Sequence, residues 1–266
     1  MKNGINMEGN IILESVNQTT PREGVSERYS FIPTTTILST LKKEGWFPVR
    51  AQETKSKKHC GFQKHLIRLQ NMNQDFINGV APEIVLTNSH DAAASFTIMA
   101  GLFRTICLNG IVVSDSTFEA HRICHKGYTE DKVYDAIYSV MDSTPKILTK
   151  INEFKGIALT SEERQIFAES ALTLKFGEEK VKEFNSFGTV SKLLSPRRAE
   201  DAEPNLWNTF NTIQEKFIKG DRYISTTENP LKIKKGRATN SISENIRLNK
   251  ALWELTEKMA GLKNQN

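Results

Sequence analysis

The chain has 266 residues, 38% of them hydrophobic and 25% charged, with a formal net charge of +5. That balance excludes a disordered chain and supplies enough apolar side chain for one large or two small cores. No charged start leads into an apolar segment near Met1, and the longest apolar-rich stretch, Phe96 to Val113, is broken by Arg104, Asn109 and Gly110, so neither a secretory signal nor a membrane span is expected and a cytoplasmic location is.

Residues 1–28 read as a loose arm, because Asn17 to Glu27 is rich in Thr, Gly and Pro and carries neither helical nor strand period. Pro33-Thr34-Thr35-Thr36 then starts a short amphipathic helix with Ile37, Leu38 and Leu41 on its apolar stripe, and Gly45 ends it. Phe47 to Glu53 and Phe62 to Gln70 have strand composition and flank the charged Lys55 to His59 turn, which predicts an antiparallel pair; Pro82 to Thr87 adds a third strand. After the polar turn Asn88-Ser89-His90-Asp91 the pattern is open between helix and strand for residues 92–109: Ala92-Ala93-Ala94 favours a helix, Phe96 to Ile98 a strand. Gly110 to Val113 and Phe118 to Cys124 read as strands around a turn at Ser114-Asp115-Ser116, closing a meander.

From Asp131 the period becomes helical. Val133, Ile137, Val140 and Met141 recur at that spacing, as do Ile147, Leu148 and Ile151. Thr160-Ser161-Glu162-Glu163 opens a further helix of the capping-box type, with Ile166, Phe167, Ala171, Leu172 and Leu174 inward and Gly177 as its stop. Residues 192–204, crowded with Pro196, Arg197, Arg198, Glu200, Asp201, Glu203 and Pro204, read as a linker. Leu206, Phe210, Ile213 and Phe217 form the face of one late helix; Ile246, Leu248, Leu252, Leu255 and Met259 form that of another. The expected fold is α+β, a mostly antiparallel sheet in the N-terminal half followed by a helical C-terminal half. Its parts would be an α+β core over 29–191, the linker, and a helical region over 205–266 packing on the core.

Several runs together resemble a known family. They are Tyr29 to Thr34 (YSFIPT), Gln63 to Arg68, Asn88 to Asp91, Gly101-Leu102-Phe103-Arg104 with Cys107 and Asn109-Gly110, Leu206 to Asn211 with Gln214-Glu215, and Arg247 to Trp253. In that order they resemble a family of uncharacterised prophage and plasmid proteins classed as a domain of unknown function, over roughly Tyr29 to Ala260. The resemblance implies a mobile-element gene and no particular activity. Where the family pattern has glycine after the Asp of the polar turn, this chain has Ala92, which would be strained if the turn requires a positive φ.

The residues themselves favour binding over catalysis. His65, His90 and Asp91 are the candidates for a metal-dependent or acid–base site acting on nucleic acid, but neighbours on a strand point to opposite faces, so His90 and Asp91 share a site only if the turn folds them together. The plainer reading gives Asn88 and Asp91 Asx-turn bonds and His90 a hydrogen-bonded place in the core. His121 and His125 have the spacing of a helical zinc pair within strand-like sequence, and no metal or other cofactor is expected. Cys60, Cys107 and Cys124 make neither an even disulfide set nor a CxxC knuckle and are expected as thiols, with Cys107 three residues from Arg104.

Lys64 and Arg68, four apart on one strand, project the same way, and Arg50 on the neighbouring strand extends them. Lys57 and Lys58 in the adjoining turn and Lys232, Lys234, Lys235 and Arg237 in a late loop complete a cationic set suited to a phosphate backbone. Nucleic acid, single-stranded DNA in particular, is therefore the expected partner, with no membrane partner and homo-oligomerisation left open. The competing account pairs these cations with the chain's 31 Asp and Glu residues. A third reading is an interaction protein that targets a host defence or replication factor through an exposed helical face.

Overall fold

The β-branched and aromatic runs of the first half pair into one antiparallel sheet in the computed structural model, which describes residues 4–6, 8–73, 79–105, 109–113, 120–127 and 129–265. The chain divides into two units, Met1–Pro145 and Lys146–Asn266. The first contains helix α1 (Thr34–Lys43) and strands β1 (Trp46–Glu53), β2 (His65–Asn71), β3 (Val80–Asn88), β4 (Phe96–Arg104), β5 (Asn109–Val112) and β6 (His121–Ile123). Helix α2 (Glu130–Gly156) contains the boundary, which falls at Pro145, a residue that withdraws one amide from the helical ladder. The second unit is helical apart from one hairpin: α3 (Ser161–Phe176), α4 (Glu178–Val181), α5 (Ser186–Leu194), a 3-10 turn at Ala199–Asp201, α6 (Leu206–Lys219), β7 (Asp221–Ile224), β8 (Lys234–Gly236) and α7 (Ile242–Asn264). The fold is α+β, as its sequence pattern predicts.

Strands β1 to β5 lie in sequence order, each antiparallel to the next. Every position of β3 is buried, so both faces of the sheet centre are covered. The segment left open between helix and strand resolves as β4 because Phe96, Ile98, Met99 and Leu102 all find cover on that sheet, while Ala92 to Ala94 stay in the preceding turn. Strands β5 and β6 do not pair with each other as a meander would require. Both bond to β4, with Val112 opposite Gly101 and Ile123 opposite Phe96, so they share one edge end to end. The expected turn at Ser114 to Ser116 and Cys107 lie outside the described residues.

The expected loose arm is tied down. The Gly4 amide donates to the Ala51 carbonyl at 2.9 Å, the Ser15 hydroxyl donates to a Glu53 carboxylate oxygen at 2.6 Å, and Val16 is fully buried. Among the described residues the outer side of the edge strand β1 has no ladder partner, and the segment supplies donors to one of its carbonyls and one of its carboxylates. No helix among the described residues is long and apolar enough to cross a membrane.

In the second unit α6 is the central element. Leu206, Trp207, Phe210, Ile213 and Phe217 are all at most 1% exposed, and each such side chain contributes about 1.5–3 kcal/mol of burial. The Thr160 capping box forms as its spacing predicts, with the Thr160 hydroxyl oxygen accepting from the Glu163 amide and the Glu163 carboxylate accepting from the Thr160 amide. On α3, Ile166 points outward instead of inward and Ala168 takes a buried place beside Phe167. The segment 192–204 is not a bare spacer. Arg197 and Arg198 converge on the buried Glu215 of α6, with Arg198 holding it at 2.7 Å through each of two nitrogens. Burial alone would push the Glu215 carboxyl up, but Arg198, Lys219 and Arg197 bring it down to about 2. A crowd of charges that composition reads as a solvated linker is thereby fixed to the core.

Candidate functional site

The polar turn after β3 builds a buried network around the first residue of α1. Asn88, at the end of β3, donates its amide to the Ile32 carbonyl and to the Thr34 hydroxyl oxygen, both at 3.0 Å. The same Oγ1 lies 3.0 Å from Nε2 of His65 and 3.4 Å from Nε2 of His90. One hydroxyl proton serves one imidazole, so the second ring bonds the same oxygen only by donating a proton of its own. Burial, followed by His90, pushes His65 down to about 3, and burial, followed by His125, pushes His90 down to about 4. His90 also packs against Phe31, its ring 4.6 Å away, and its Nδ1 is buried without a hydrogen-bond partner among the described residues.

Asp91 does not join the two imidazoles. One carboxylate oxygen accepts from the Ala93 amide at 3.0 Å, and the other lies 2.7 Å from Nδ1 of His59, a residue the sequence pattern does not single out. Burial would push the Asp91 carboxyl up, but these bonds hold it low. Ala92 takes φ +61°, the left-handed conformation that its alanine makes costly. The His90 amide donates to the Phe62 carbonyl and the Arg22 amide to the His90 carbonyl, so the turn clamps both the loop before β2 and the N-terminal segment. Tyr29 completes the cluster, its hydroxyl donating to the Ser89 carbonyl at 3.0 Å and its ring stacked on His125 at 4.3 Å. Thus His65 and His90 converge, fully buried, while Asp91 serves the turn. Among the described residues no three His, Cys, Asp or Glu side chains are placed to share a metal ion. Chemically the cluster is a fastener.

The cations of the sheet divide. Arg68 is 5% exposed, and its Nη1 meets a Glu83 oxygen at 2.5 Å and the Ile111 carbonyl at 3.3 Å. Its guanidinium crosses the sheet face over Gly110, where a β-carbon would sit 2.4 Å from Cζ; a larger residue there would block it. Glu83 also accepts from the Gln70 amide at 3.1 Å. The charge of Arg68 is therefore compensated inside the fold, and the expected surface row of Lys64 and Arg68 loses its second member. Arg50, opposite Arg68 across the β1–β2 ladder, is exposed, and Lys64 is half-buried. Lys57 and Lys58 are exposed and make no ion pair among the described residues.

The late loop expected from sequence is the β7–β8 hairpin, with Arg222 opposite Lys235 and Ile224 opposite Lys234. Its inner side is anchored by the buried Tyr223, against whose ring Gly236 lies so closely that a β-carbon would approach to 2.3 Å. Lys232, Lys234, Lys235 and Arg237 are all exposed, and among the described residues none forms an ion pair. Lys235 and Arg237 line a cavity of about 430 Å³ with Lys175, Asn240 and Ser241, the N-cap of α7. Lys175, unmarked in the sequence, secures the base of this hairpin: its ammonium donates to the carbonyls of Phe217 at 2.6 Å and Arg237 at 3.2 Å and lies over the Phe217 ring. Burial brings Lys175 down to about 8. Glu244, on the same cavity, is held by Arg247 at 2.6 Å. The arrangement places the exposed Lys235 and Arg237 beside the amide end of a 23-residue helix, a setting that favours phosphate oxygens.

A family model described as "Domain of unknown function (DUF932)" matches residues 22–253. The UPF0380 proteins YafZ and YfjQ of Escherichia coli (strain K12) are 35% and 34% identical to the chain over 254 residues, which is 93% of this chain and 88% of each relative. No solved structure matches it.

Proposed function

We propose that this chain, which belongs to the DUF932 family, binds nucleic acid through the β7–β8 hairpin of its second unit. The observation that carries this reading is the placement of Lys232, Lys234, Lys235 and Arg237 on one short hairpin, all exposed and none neutralised among the described residues. Arg68 and Arg198, which serve the fold, are each matched by a carboxylate. Those left unmatched and clustered raise the local potential and draw polyanions. Phosphate contacts of this kind fix position without reading sequence, so the affinity is nonspecific and falls steeply with salt. Lys175 contributes by holding the hairpin base, and the start of α7 lines the same cavity.

Retardation of a labelled oligonucleotide tests this. The wild-type protein is expected to bind at low salt with a slope of log K against log salt near −3, about 0.7–0.9 per phosphate neutralised. Replacing Lys232, Lys234, Lys235 and Arg237 together by Glu is expected to abolish binding, whereas Lys57→Glu with Lys58→Glu leaves most of it. Absence of wild-type retardation at low salt, or retention of the full slope by the hairpin variant, overturns the reading.

A further inference from the structure

Two large apolar side chains of the second unit stand almost wholly in solvent, Phe187 at 86% exposure and Leu231 at 94%. Leaving a phenyl ring outside forgoes about 2 kcal/mol of burial, so it adds nothing to the fold where it stands. The hairpin gathers both residues around Ser225, which follows β7. The amide of Asn185 and the hydroxyl of Thr189, on either side of Phe187, both donate to the Ser225 carbonyl at 2.9 Å. Gly188, next to Phe187, abuts the Ser225 side chain. The Ser225 hydroxyl in turn donates at 2.9 Å to the carbonyl of Pro230, the residue before Leu231. Ile224, on the other side of Ser225, is the register partner of Lys234. Phe187 and Leu231 are therefore each within two residues of a contact at Ser225, Lys234 is paired with the residue before that serine, and Lys232 and Lys235 flank them. Glu228 is the one acidic residue between the two strands.

We propose that Phe187 is a stacking platform for an unpaired base, with Leu231 as a second apolar contact for the ligand and Lys232, Lys234 and Lys235 taking the flanking phosphates, so that the ligand is single-stranded nucleic acid. This inference rests on the hairpin reading above and narrows it. A duplex hides the faces of its bases, so an outward phenyl ring finds a partner only on a strand whose bases are free. The same chemistry of apolar tips and lysines also suits an anionic lipid surface. Two isolated side chains, however, give far less apolar area than the continuous helix face by which proteins lie in a bilayer interface.

The test compares the full chain with its Phe187→Ala, Phe187→Trp and Leu231→Ala variants, by fluorescence anisotropy on a labelled oligothymidine of about 20 nucleotides and on a duplex of equal length, from about 50 to 200 mM salt. Wild type is expected to prefer the single strand. Phe187→Ala should weaken it roughly tenfold with the salt slope unchanged, and Phe187→Trp should restore it, since base stacking on an aromatic ring contributes on the order of 1–3 kcal/mol. If Phe187→Ala binds the strand as well as wild type does, or if wild type prefers the duplex, the stacking inference is overturned. The hairpin reading then still stands, provided that the lysine variants lose their salt-dependent binding. Binding to vesicles containing phosphatidylserine that Phe187→Ala abolishes, without strand binding by wild type, overturns both in favour of a lipid surface.

Discussion

Arg68 in β2 and Lys235 in β8 are both strand cations among runs of basic residues, and the fold treats them oppositely. Arg68 is buried and paired with Glu83 across neighbouring strands; Lys235 stands exposed on a two-stranded hairpin and forms no ion pair among the described residues. What separates them is the partner strand. A strand inside a five-strand path has neighbours on both sides, one of which presents Glu83, whereas the hairpin has one ladder and an open outer edge. Basic character in a sequence thus acquires meaning only when the opposing ladder is known.

The largest test of this contrast removes Glu83. Glu83→Ala leaves the Arg68 guanidinium buried without its carboxylate and is expected to cost about 3–5 kcal/mol. The loss should be visible as a lowered denaturant midpoint and faster amide exchange in β2 to β4. Lys235→Ala is expected to stay within about 0.5 kcal/mol of wild type, since it leaves nothing buried and unpaired. Equal effects for the two substitutions would break the comparison.

Acid should separate the two units. In the first, His65 and His90 are held at about 3 and about 4, below the ordinary 6.5, so the unfolded chain takes up their protons first. Their contribution is whole above pH 6.5 and is lost as pH falls toward those values; by pH 5 each ring costs about 2 kcal/mol. The Glu215 clamp of the second unit has its depressed carboxyl at about 2, so its contribution holds down to the ordinary glutamate value of 4.5 and fades only below it. Between pH 7 and pH 5 amide protection is expected to fall in β2 and β3 while α3, α6 and α7 keep theirs. Parallel loss in both units would remove the histidine network as the cause.

Local signals were legible and pairings were not. The Thr160 capping box and the Gly45 and Gly177 stops rest on contacts within a few residues, and each forms where the sequence places it. The first three strands follow from composition, but β6 joins β4 instead of β5 because strand order depends on which edge is free, which no local window contains. Arg197 and Arg198 read as linker because their partner, Glu215, lies 17 or more residues on. His59 and Asp91, 32 apart, and Lys175 and Arg237, 62 apart, left no trace in spacing at all. One clue was present: with β2 and β3 read as neighbours, Glu83 was the acidic residue available to answer Arg68.

The smallest effect tests the polar turn that fastens the first unit. Ala92 holds φ +61°, where a β-carbon meets the following carbonyl and costs about 1–2 kcal/mol. The bonds around it explain why the conformation persists. Asp91 accepts from the Ala93 amide and pairs with His59, while the Ser89 hydroxyl both donates to the Ala94 carbonyl and accepts from the Ala94 amide, so bonds on both sides hold Ala92 in the turn. Ala92→Gly removes the steric cost but loosens the unfolded chain by about 0.4–1 kcal/mol, leaving a net gain of roughly 0.5–1 kcal/mol. The expected reading is a denaturant midpoint raised with the slope unchanged, and oligonucleotide binding unaltered because the hairpin belongs to the other unit. A lowered midpoint would mean that the left-handed turn is not where the first unit carries its strain.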